Sequence, residues 1–241
     1  MEVWEHTIDE WKGDVDVGSF SLLTQAAEAV LKDDLADFEI EWVASTLLYE
    51  PVQLLQLIPA RTRDSAWTKP LIDAFKLMSI LVERYPECSD RFHEDIVEAC
   101  QAPLEARVRG AALQCLAARV ARSVASVRVA AYIAELEAPS ACKAPLAALL
   151  GTICEFHPEC VAEEVARVWR AYLNLLEANK NTEGVRAAAL RGAGRLLRSF
   201  GDDLPLAELG LLYPALTGDV GDVSLELLER HAGLFRERLA A

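Results

Sequence analysis

Val108-Arg-Gly-Ala-Ala-Leu113 and Val185-Arg-Ala-Ala-Ala-Leu190 are one six-residue phrase written twice, 77 residues apart. Around each copy the punctuation also recurs. Lys69-Pro70-Leu71 leads through an apolar tract to Tyr85-Pro86-Glu87-Cys88, and Ala144-Pro145-Leu146 leads likewise to His157-Pro158-Glu159-Cys160. The prolines recur at offsets of 75 and 72 residues, in the same order along the chain. Val127-Arg-Val-Ala-Ala131 is a partial third copy between them. A superperiod near 75 that holds two helix pairs leaves about 37 residues per pair, a length typical of short helical-hairpin arrays.

The tracts between these marks are helical in period. From Val185 to Phe200, Leu190, Leu197 and Phe200 recur at helical intervals while Arg191, Arg195 and Arg198 fall on another stripe. The same period runs through 70–85, 90–100, 104–120, 124–137, 143–156, 159–178 and 222–239. It is weaker over 19–32, 39–58 and 205–216. Pro70 and Pro145 stand where a helix can begin, since the first turn has no use for the missing N–H. Pro158 is expected to stop a helix after His157, whose cationic form would complement the helix carboxyl end. Alternating β-branched runs are absent, so the expected fold is all-α, with about ten to twelve helices.

The Val-Arg-x-Ala-Ala-Leu phrase resembles the start of the second helix of a HEAT repeat. Alanines at that place let neighbouring helices approach closely, with Val and Leu filling the groove between them. In such repeats the arginine commonly pairs with an acidic group or a helix carboxyl end next door. The architecture implied is a HEAT/armadillo-like, right-handed superhelical solenoid of antiparallel helix pairs spanning 19–241. The segment 1–18, with Trp4, Trp11 and six acids, would cap it.

Charge is partitioned. The chain carries 24 Lys+Arg against 38 Asp+Glu, a formal net charge of -14, which disfavours gripping a polyanion over the whole surface. Thirteen acids and two lysines fall in residues 1–60, whereas 106–134 holds five arginines and no acid. Residues 185–200 hold four more arginines, again without an acid. Arg107, Arg109, Arg119 and Arg122 in the first run, with Arg191, Arg195 and Arg198 in the second, are the candidate partner-binding residues. They would line a surface for an acidic segment or phosphates, or else make ion pairs between repeats.

Little else points to chemistry. The six cysteines form no CxxC, and in a reducing compartment they read as small buried hydrophobes. Cys154, His157 and Cys160 share metal-ligand spacing, but Pro158 interrupts the helix that would align them. No phosphate-binding, dinucleotide, zinc-protease or nucleophile-elbow motif occurs, so no enzyme, cofactor or metal is expected. No tract is long enough to cross a bilayer, and the acidic start is unlike a signal peptide; an intracellular protein is expected.

The stretch 149–173 resembles a segment from the N-terminal HEAT region of the DNA-dependent protein kinase catalytic subunit family. The likeness lies in Leu150-Gly151, Glu155, His157-Pro158 and Arg170-Ala171 followed by Leu173. That resemblance implies a nuclear scaffold in double-strand break repair by end joining, holding Ku-like DNA-end-binding proteins, with no kinase activity of its own. The reading independent of it is a cytoplasmic adaptor or assembly chaperone that engages a basic client through its acidic N-terminal segment.

Overall fold

The structure, a computed structural model, describes residues 65–90, 92–123, 127–178, 182–201 and 204. The chain divides into two compact units, Met1–Ala125 and Ser126–Ala241, and each is taken separately. All the described secondary structure is helical. Seven α-helices of nine residues or more and one of five residues occur among the described residues, with two short 3-10 turns and no strand. The segment 1–18 and the helices expected over 19–32, 39–58, 205–216 and 222–239 lie outside the described residues.

In the first unit α1 spans Thr68–Arg84, α2 Pro86–Asp90, α3 His93–Gln101 and α4 Ala106–Val120. Pro70 sits in the first turn of α1, and the helix stops at Tyr85, the residue before Pro86. Tyr85 takes φ -129°, ψ 62°, out of the helical region that a following proline ring disfavours. α4 packs along α1 and against α3. Phe75, Met78 and Val82 from α1 meet a core completed by Ile96, Leu113 and Leu116, all but closed to solvent. Two bonds fix the direction. Thr68 Oγ1 donates to Glu105 Oε2 (2.8 Å) beside the start of α4, and Arg122 Nη2 just past its end donates to the Glu83 carbonyl (2.9 Å). The α1 and α4 chains therefore run the same way, with α3 folded back against α4.

The second unit repeats this plan. α5 spans Val129–Glu137, α6 Lys143–Phe156, α7 Val165–Glu177 and α8 Glu183–Phe200. Pro145 again lies in the first turn of α6, and His157 ends that helix with φ -139°, ψ 59°, nearly the backbone of Tyr85. The strongest packing is α6 against α8, while α7 lies on α8 and also touches α5. Ser199 Oγ donates to the Cys154 carbonyl (2.7 Å) and Arg198 Nη1 to Glu155 (2.7 Å), so the carboxyl ends of α6 and α8 lie together. Both helices run the same way, as α1 and α4 do. Where they are closest, glycine is needed. A Cβ on Gly151 would stand 2.9 Å from the Gly192 Cα, and one on Gly192 would sit 2.5 Å from the Tyr172 ring.

The helical tracts read from sequence are therefore present throughout the described residues, but four of their beginnings are later than the period suggests. α3 starts at His93 and not at 90, α4 at Ala106, α5 at Val129, and α7 at Val165 after a 3-10 turn at Pro158–Cys160. None of the seven longer helices has a side-chain hydrogen bond at its N-cap, and of the seven N-cap residues only Thr182, before α8, is of the Ser, Thr, Asp or Asn kind that would mark a start. The partial copy at 127–131 leads into α5, which packs on α6 and α7. It is not a third helix of the α4 and α8 kind.

Candidate functional site

The two full copies of the Val-Arg phrase place their arginines alike. Arg109, in the first turn of α4, donates from Nη1 to the Cys100 carbonyl (2.7 Å) in the last turn of α3. Arg186, in the first turn of α8, donates from Nη1 to the Leu176 carbonyl in the last turn of α7. The last carbonyls of a helix have no partner within it and carry its negative dipole end, so a guanidinium there satisfies both. In each unit the arginine locks the turn between an antiparallel pair of helices.

The other candidate arginines divide by burial. Arg195, half-buried on α8, pairs through Nε with Glu155 Oε2 (2.9 Å) and donates from Nη1 to Thr152 Oγ1 (2.8 Å). Arg198 binds the second oxygen of the same carboxylate (2.7 Å). Glu155 therefore joins two arginines of the acid-free run to α6. Arg122 is exposed but engaged by the Glu83 carbonyl. Arg119 is 1% exposed and carries four partners within the first unit. These are the His93 ring, Asp90 Oδ1 (2.7 Å), Ser89 Oγ (3.3 Å) and Ser123 Oγ (3.2 Å). That burial removes Arg119 from any contact surface of the folded unit. Arg107 and Arg191 are exposed and make no hydrogen bond or ion pair with the described residues. The ion pairing between helices weighed in the sequence is thus present at Arg195 and Arg198, and Arg107 and Arg191 are left facing solvent.

Sequence reasoning singled out neither Arg186 as a site residue nor Glu155 as an arginine clamp. The signal for Arg186 was its place in the repeated phrase. Arg167 was also passed over; it forms a two-pronged pair with Glu137 across α7 and α5 (3.0 and 2.6 Å). Those hydrogen bonds hold the Glu137 carboxyl below its usual range.

The thiols are poorly suited to nucleophilic work. Cys100, Cys115, Cys142 and Cys154 are buried as free cysteines, while Cys160 is half-buried. Burial pushes the Cys154 thiol up to about 12, and it raises Cys100 and Cys160 as well. These three groups are protonated at neutral pH, where a thiolate would be required. Among the described residues no cluster of three or more His, Cys, Asp or Glu side chains could hold a metal ion, Cys154, His157 and Cys160 included. His157 instead ends α6, with Nδ1 3.5 Å from Glu159 Oε1. No helix of the described residues is long and apolar enough to cross a membrane.

Compared with protein-family models, with curated proteins and with solved structures, the chain matches none.

Proposed function

We propose that this chain is a non-catalytic helical-repeat scaffold whose hairpins stack as a HEAT/armadillo-like, right-handed solenoid and present a surface to a macromolecular partner. The observation that carries the reading is the recurrence of one bond. Arg109 on the Cys100 carbonyl and Arg186 on the Leu176 carbonyl repeat at the same helix junction in two units, each with two helices running the same way beside it. A unit built twice on one plan, and locked by its own side chains, supports serial stacking over a closed catalytic pocket. The partner favoured is a protein. Arg107 and Arg191 are single exposed cations, and the strip that would follow phosphates is largely engaged internally.

The narrower reading, an arm of a DNA double-strand break repair kinase that holds Ku-like proteins, rests on the likeness over 149–173. Within that stretch Gly151 serves close packing, Glu155 clamps two arginines and His157-Pro158 ends a helix. All three are structural duties that any stacked hairpin would need. The adaptor reading draws on residues 1–60, where 13 acids face two lysines.

Charge reversal of the two exposed arginines, Arg107→Glu with Arg191→Glu, tests the scaffold surface. The full chain and the variant are titrated by fluorescence anisotropy against a purified Ku-like heterodimer, a short DNA duplex and a lysine-rich peptide. Loss of heterodimer binding in the variant supports the repair-arm reading. Binding of the basic peptide that disappears on deleting 1–18 supports the adaptor. A folded wild-type chain that binds none of the three, and turns out to hydrolyse a substrate, would overturn the scaffold reading.

A further inference from the structure

Arg119 poses a problem that its neighbours answer. A guanidinium is always charged, and in the first unit this one is almost wholly enclosed, so every donor needs an acceptor. Its one carboxylate, Asp90, lies at the end of α2 and is itself largely exposed, at 59% of its side-chain surface. The Nε–H finds no oxygen at all: its acceptor is Nδ1 of His93, the first residue of α3. The Ser123 hydroxyl stands 3.1 Å from the same Nδ1 and 3.2 Å from Arg119 Nη2, so it accepts from the arginine and donates to the ring. Nδ1 is therefore an acceptor twice over. The imidazole must be neutral, with its proton on Nε2.

We infer that His93 and Arg119 form an acid-sensitive latch, which fastens α3 to α4 while the imidazole is neutral and releases it when Nδ1 takes a proton. Protonation turns the acceptor into a donor, directs N–H against N–H, and sets a second positive charge beside a buried one. Among the described residues, the charged groups on the surrounding elements are either engaged already or at least partly exposed. Asp90 is already engaged by Arg119, and Glu87 on α2 is exposed. Glu94 is exposed and Asp95 half-buried in the first turn of α3, while Glu83 and Arg84 are exposed at the end of α1. Arg122, beyond α4, adds a further positive charge. Solvent screens the exposed carboxylates, whereas the Arg119 contact is direct and part-buried, with His93 half-buried and Arg119 enclosed.

The test uses the full chain. Long-range nitrogen–proton NMR of the histidine rings reports the tautomer and titration midpoint of His93. Amide exchange at pH 7.5 and 5.5, corrected for intrinsic rates, reports the fastening of α3. The expected results are an Nε2–H tautomer, a midpoint below the free-histidine value of about 6.5, and exchange in α3 about tenfold faster at the lower pH. In His93→Asn the side-chain oxygen takes the place of Nδ1 and cannot be protonated, so the acid response of α3 should vanish. An Nδ1–H tautomer, a midpoint at or above about 6.5, or an acid response surviving in His93→Asn would overturn the latch. Should that variant fail to fold, the tautomer and midpoint of the wild-type ring decide the matter alone.

Discussion

Gly192→Ala is the sharpest test of the packing that brings α6, α7 and α8 together. A methyl group there would lie 2.5 Å from Tyr172 Cζ, 2.6 Å from its hydroxyl oxygen and 2.7 Å from Cε1. The ring is fully buried, so it cannot yield by swinging into solvent. Moving it away would also stretch the 3.1 Å bond from Tyr172 Oη to the Ala147 carbonyl on α6. Overpacking of this kind costs about 1–3 kcal/mol, and the strained hydrogen bond adds about 1 kcal/mol. Against these, replacing a mid-helix glycine by alanine returns up to about 1 kcal/mol. The net expectation is a loss of about 1–3 kcal/mol in the second unit. Gly184→Ala on the same helix is the control, because nothing lies within 4 Å of its added carbon. It should be neutral or stabilise by up to about 1 kcal/mol. Amide exchange over residues 147–200 in mild denaturant separates the two, and circular dichroism during urea unfolding confirms the order. A Gly192→Ala chain as stable as wild type would refute the close approach of α8 to Tyr172.

Three further outcomes follow from the same contacts. Arg109→Ala and Arg186→Ala should each lower the stability of their own unit by about 1–2 kcal/mol, since each frees a helix-end carbonyl, and matched exchange losses in α3 and α7 would show it. Glu155→Gln should cost about 1 kcal/mol and couple non-additively with Arg195→Ala in a double-mutant cycle, because one carboxylate serves two arginines. The second unit should also weaken in alkali. Cys154 is raised from 9.0 to about 12 and Tyr172 well above 10.0, mainly by burial, so both favour the protonated folded state. Their contribution is complete below about pH 9 and is lost as pH climbs toward 12, by about 1.4 kcal/mol per unit for each group titrating in the unfolded chain. Cys154→Ala should flatten that slope in pH-dependent urea unfolding.

How far the fold could be read depended on which residues announce themselves. Pro86 and Pro158 disfavour helix at the residue before them, so the ends of α1 and α6 were legible to within one residue. The phrase at 108–113 and 185–190 marked two equivalent helices because a small-residue face and an arginine are both required at that junction. The starts of α3, α4, α5 and α7 were not legible, since no side-chain cap marks them. Gly192 gave no warning either. Amid alanines, a glycine that accommodates a tyrosine ring looks like any other small residue, and only the neighbouring helix reveals its duty.

The arginines show why the candidate site was harder to read than the fold. A run without acids looks like free positive charge when charge is counted along the chain. The like-directed neighbours α1 and α4, and α6 and α8, however, start about forty residues apart in sequence, so the partners of such a run lie on an earlier helix. Glu155 precedes Arg195 and Arg198 by 40 and 43 residues, and Asp90 precedes Arg119 by 29. Local charge patterning thus reports where a partner is not, and the repeat length says where to seek it. By that logic Arg107 and Arg191, exposed and without a described counter-charge, are the positions at which an outside partner would register first. Reversing either one alone should leave urea stability within about 0.5 kcal/mol of wild type, as for other exposed positions. A larger loss at Arg191 would mean that another segment of this chain already covers α8, and the contact surface would then have to lie elsewhere.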